Sequence, residues 1–96
     1  MSAPGIIEKP KVDDGSGTSS GDFWVVTVFN NDYNTWDEVV NILMRATGCS
    51  IDEADMETWE IDNLGKSVVH HGEKDECVGA AEVIREIGIR VEVSAE

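Results

Sequence analysis

Apolar residues along this chain follow three different periods. From Phe23 to Phe29 they are almost continuous, as Phe-Trp-Val-Val-Thr-Val-Phe. This predicts a first strand whose two faces are both largely apolar, covered on at least part of each side. From Trp36 to Thr47 they recur at helical spacing, with Trp36, Val39, Val40, Leu43 and Ala46 as the core stripe of a first helix. From Ile89 to Val93 they alternate strictly with charged residues, as in a half-buried strand. The spacing predicts a second helix over about 51–61, with Ile51, Ala54, Thr58 and Ile61 on one stripe, and a third over about 74–87. The third carries Cys77, Ala80, Ala81, Ile84 and Ile87 inward. Lys66 to His71 reads as a short strand closed by Gly72.

The punctuation agrees with the periods. Thr35 with Glu38, and Ser50 with Glu53, have the spacing of capping boxes. Gly48 and Gly88 end the first and third helices. The cluster Asp62-Asn63-Leu64-Gly65 stops the second. The order is therefore β-α-α-β-α-β. A three-stranded antiparallel sheet with helices packed on one face makes a single compact α+β domain over residues 23–96. Residues 1–22 hold both prolines and the run Gly15-Ser16-Gly17-Thr18-Ser19-Ser20-Gly21, and read as a disordered N-terminal extension.

Composition narrows the function classes. The 96 residues allow one domain. A net charge of −13 disfavours nucleic acid and anionic lipid and favours cationic partners. The extension sets Glu8, Asp13, Asp14 and Asp22 against Lys9 and Lys11, so most of the acidity belongs to the domain. No apolar run approaches the roughly 18 residues of a membrane span. The first residues lack a signal-peptide pattern, so a cytoplasmic location is expected. Cys49 and Cys77, without CxxC spacing, are expected to be free thiols.

Candidate chemistry is sparse. Asn30, Asn31, Asp32 and Asn34 crowd a short strand-to-helix loop, where convergent oxygens suit a cation or an ammonium group. The plainer reading is a helix start rich in turn formers. His70 and His71 stand near Glu73, Asp75 and Cys77, but the spacing matches no strong zinc pattern, and adjacent strand residues face opposite ways. A small hydrolase or metal protein built on His70, His71 and Cys77 is the rival this cluster keeps open. No G-x-S-x-G or P-loop occurs, and no enclosed acid pair is evident, so an enzyme is not expected and no cofactor is implied.

The strand, the Asn30-Asn31-Asp32-Tyr33-Asn34-Thr35 loop, the Trp36-Asp37-Glu38-Val39-Val40 helix start and Gly65-Lys66 resemble the ClpS family over about residues 24–93. ClpS proteins are adaptors that carry N-degron substrates to a Clp protease. The resemblance implies that Asn30, Asn31 and Asp32 receive the substrate's α-amine. Asn31 stands where the family usually has an aspartate. Asp62 stands where a histidine normally completes the amine site. The implied hydrophobic pocket is Asn34, Trp36, Val39, Thr58, Ile61 and Ile89, with Trp36 and Thr58 where methionines are common. Implied partners are proteins beginning with Leu, Phe, Tyr or Trp, and the N-terminal domain of a Clp-type AAA+ unfoldase docked near Asp75. The chain is expected to act as a monomer, with the extension helping to hand substrates over. Because of Asn31, Thr58 and Asp62, a peptide-binding module of the same fold with altered or lost N-degron specificity stands as the alternative.

Overall fold

The computed structural model describes residues 23–96. The expected disordered extension, residues 1–22, lies outside the described residues. The elements are β1 (Trp24–Phe29), α1 (Trp36–Thr47), α2 (Ile51–Leu64), β2 (Lys66–Gly72), α3 (Lys74–Arg85) and β3 (Val91–Ala95), in the expected order. The strands form one sheet in the order β2-β1-β3, and β1 pairs antiparallel with both neighbours.

The core lies between the sheet and the three helices. Val26, Val28, Val69 and Val91 enter it from the strands. Val39, Val40, Ile42 and Leu43 come from α1, Ala54 and Ile61 from α2, and Cys77, Ala80, Ala81 and Ile84 from α3. Among the described residues, no helix covers the outer face of the sheet. Val25, Thr27 and Phe29 are half-buried there, and the Phe29 ring lies beneath Arg90 at 4.3 Å and Lys66 at 5.9 Å from its centroid. Cations over a ring face are attracted by its quadrupole, so these long side chains supply part of the cover expected from the apolar strand.

Several boundaries and stripes differ from expectation. α2 continues through Asp62 and Asn63 to Leu64 and stops at Gly65, whose φ is +92° and whose N–H donates to the Ile61 carbonyl. Asp and Asn are only mildly unfavourable within a helix, whereas the left-handed residue that ends one is best supplied by glycine. α3 ends at Arg85, two residues early. A turn through Gly88 (φ +81°) follows, and β3 starts at Val91 rather than Ile89. Ile51, the first residue of α2, is exposed and does not join the stripe of Ala54, Thr58 and Ile61. Trp36 is 41% exposed, so it leaves the core stripe to Val39, Val40 and Leu43, which Ile42 joins. Ser50 caps α2 through the Glu53 N–H, but no return bond from the Glu53 side chain forms among the described residues.

β2 carries one extra residue. Val26 pairs with His70 and Thr27 with Val68, so Val69 is bulged out of register. Paired residues share a face, and His70 is therefore turned to the helix side with Val26 while His71 is exposed. Both cysteines are free, with Cys77 fully buried; burial, and secondarily the Glu76 carboxylate, push its thiol above the usual range.

Candidate functional site

The polar loop is braced by its own amides. The Asn30 backbone N–H donates to the Gly65 carbonyl at 2.9 Å, which ties the start of the loop to the end of α2. Asn31 Oδ1 accepts from the Tyr33 and Asn34 N–H groups, both at 3.1 Å, as Asn commonly does in a turn. Its Nδ2 donates to Asn34 Oδ1 at 2.8 Å. Asn34 Nδ2 donates to the Ile87 carbonyl at 2.8 Å, and to Glu38 Oε1 at 3.2 Å. The Asn34 amide is thus engaged at both its donor and acceptor atoms. Thr35 and Glu38 form a complete capping box. The Thr35 N–H and then the Asn34 amide hold the Glu38 carboxyl below the usual range.

The rest of the loop faces solvent. Asn30 and Asp32 are exposed, and neither side chain bonds to another described residue. Tyr33, at the tip, is 87% exposed. Asp62 is exposed in the last turn of α2 and is likewise without a described partner. Since Gly65 follows within a turn, the Asn30–Gly65 bond joins the two segments that carry the predicted amine ligands.

Helix geometry orders the other predicted residues. Asp55, Thr58 and Asp62, at spacings of three and four, share one flank of α2. Trp36 Nε1 donates to Asp55 Oδ1 at 3.2 Å, so this flank meets the start of α1. Val39, Ile61 and Ile89 belong to the single core cluster. Thr58 is 3% exposed, and its hydroxyl donates to the Ala54 carbonyl at 2.7 Å within its own helix. Of the predicted wall, four residues are therefore buried, Trp36 lies at the surface edge, and Asn34 braces the loop. Asp75 is exposed in the first turn of α3. The helix runs roughly 15 Å from Asp75 to its last residue, Arg85, and Asn34 bonds the Ile87 carbonyl just beyond that end.

The histidine cluster is divided. His70, with a side chain 17% exposed, sits 3.1 Å from Glu76 Oε2. A Cβ at Gly72 would lie 2.7 Å from Glu76 Oε1, so the glycine leaves room for this contact. Among the described residues no group of three or more His, Cys, Asp or Glu side chains is placed to hold a metal ion, and no helix is long and apolar enough to cross a membrane.

One residue was not anticipated. A run of acids such as Asp52, Glu53, Asp55, Glu57 and Glu60 ordinarily marks a solvated face, yet Glu57 is half-buried and its Oε1 has no hydrogen-bond partner among the described residues. Burial, then the neighbouring charges of Glu53 and Glu60, push its carboxyl up to about 7. Glu60 instead accepts from the Ser67 hydroxyl at 2.6 Å. The acid spacing was a signal for mutual repulsion, but not for burial.

The family model described as ATP-dependent Clp protease adaptor protein ClpS matches residues 19–92. No curated protein matches. Among solved structures, the chain is similar to Agrobacterium tumefaciens ClpS2 bound to L-phenylalaninamide. The TM-score is 0.73 at 20% identity, over 79% of this chain and 99% of that one.

Proposed function

The chain belongs to the ClpS family of Clp protease adaptors, and from that premise we propose that it binds N-degron substrates and delivers them to a Clp-type AAA+ unfoldase. The α-ammonium of the substrate is received by Asn30 and Asp32 from the loop and by Asp62 from α2, with Asn31 holding the loop in shape. A peptide α-amine has a pKa near 7.7–8.0 and is mostly protonated at pH 7. It offers three donors to these oxygens, and charge-assisted bonds to carboxylates are the stronger kind. The substrate's first side chain, Leu, Phe, Tyr or Trp, packs against Val39, Thr58, Ile61 and Ile89, with Asn34 and Trp36 at the rim. Burying such a side chain contributes roughly 1.5–3 kcal/mol.

The observation that carries this reading is the Asn30–Gly65 bond, which joins the segments bearing Asn30, Asp32 and Asp62, whose side chains are exposed and bond to no other described residue. The ligand of the Agrobacterium protein supports it, because L-phenylalaninamide also joins a free amine to an apolar ring. The unfoldase docks near Asp75, at the far end of α3, and residues 1–22 assist the transfer from the cytoplasmic adaptor, acting as a monomer. A ClpS-fold module with shifted specificity is favoured by one observation: the Asn31 amide is already spent on the loop and adds no charge.

Peptides identical except at residue one test both. Free Leu, Phe, Tyr and Trp peptides should bind, while Val, Arg and acetylated Leu should not. Equal binding of free and acetylated Leu would overturn the N-degron reading. Binding of Val or Arg in preference to the bulky residues would favour the shifted module.

A further inference from the structure

Trp36 presents a large apolar surface to solvent while its ring nitrogen is bonded across to another helix. Its neighbour one turn along α1, Val39, is buried. Asp55, which accepts the indole N–H at 3.2 Å, stands one turn before the buried Thr58 and two before Asp62 on the same flank of α2. The bond therefore spans the seam between α1 and α2 immediately outside Val39 and Thr58. An indole has one donor. With that donor held on α2 and its Cα fixed on α1, the ring is oriented from both ends.

We propose that Asp55 is a positioning residue for substrate choice: it latches the Trp36 indole across the α1–α2 seam, so that the mouth of the pocket is a fixed flat wall that favours aromatic over branched aliphatic first residues. The proposal rests on the adaptor reading above. Aromatic pairs gain from offset-stacked or edge-to-face contact, which needs the two ring planes suitably placed; an indole free to rotate loses that geometry, and with it the advantage of an aromatic over an aliphatic first residue. Thr58 makes no polar demand on the ligand, because its hydroxyl is turned into its own helix. Neither Asp55 nor its hydrogen bond supports the core, since Asp55 is exposed.

The test measures the affinities of two peptides that differ only in Phe or Leu at residue one. They are measured on the unaltered chain and on Asp55→Ala, Asp55→Asn and Trp36→Met variants. The unaltered chain should prefer Phe by about five-fold, the scale of one aromatic pair. Asp55→Ala should bring that preference to within about two-fold of parity at an unchanged melting temperature. Asp55→Asn keeps a carbonyl acceptor and should retain the preference, whereas Trp36→Met should lose it. An unmoved ratio in Asp55→Ala, or a Leu preference in the unaltered chain, would overturn the latch and leave the adaptor reading standing. Failure of the unaltered chain to bind either peptide would overturn both.

Discussion

The two segments that meet at Gly65 are built on opposite principles. In the loop, Asn31 and Asn34 spend their amides on neighbouring backbone and side-chain groups, one of them 53 residues away in sequence. Along α2, Asp55 holds an indole, while among the described residues Asp62 has no partner and Glu57 has a buried oxygen without one. Neutral amides make shape, because each has both donors and acceptors to satisfy locally. Carboxylates can only accept, and in a chain of net charge −13 they have few cations to accept from. The loop therefore brings geometry to the proposed site, and α2 brings unspent charge.

The largest test of this contrast is Asp62→Ala. Removing a charge-assisted partner should weaken binding of a free-amine peptide by about 1.5–3 kcal/mol, measured by titration, with little change in folding stability. Asn34→Ala should act on the fold as well. It removes bonds to Ile87, Glu38 and Asn31, and should lower stability by about 1–2 kcal/mol in urea unfolding. If Asn34→Ala left stability unchanged, the loop would not owe its shape to its amides.

Glu57 sharpens the α2 side of the comparison. Its folded carboxyl titrates at about 7, above the ordinary 4.5, so the folded state binds the proton more tightly. Stability should be greatest below pH 4.5 as far as this group is concerned and should fall as pH rises toward 7. Glu57→Gln should remove that decline and be more stable at pH 8 by on the order of 1 kcal/mol, a figure discounted because the group is half-exposed. Thermal unfolding across pH checks it. The smallest effect is expected from Asp32→Ala, which should change stability by less than about 0.5 kcal/mol in the same assay, since the side chain touches no described partner.

The order of elements is legible in the sequence because the apolar periods of Val25–Phe29, Val39–Leu43 and Cys77–Ile84 coincide with local end signals. Thr35 and Glu38 are one such signal, and they form the complete box expected of them. The end of α2 was less legible, because Asp62 and Asn63 serve equally as turn formers and as tolerable helix residues. Trp36 misled for a different reason. Helical spacing marks a side of α1, but does not say where along the helix the core stops. The loop residues were recognisable as a group, yet their division into braces and unengaged side chains depends on Ile87 and Gly65, which are distant in sequence. The half-burial of Glu57 depends on tertiary packing in the same way.

The bulge at Val69 has a consequence for how the molecule behaves among its own copies. β2 is an edge strand, and a regular edge offers evenly spaced donors and acceptors to any other strand. One surplus residue bends and twists that edge out of regular repeat. The irregular edge of β2, which also carries the exposed Lys66, is a poorer template for strand pairing than a regular one would be.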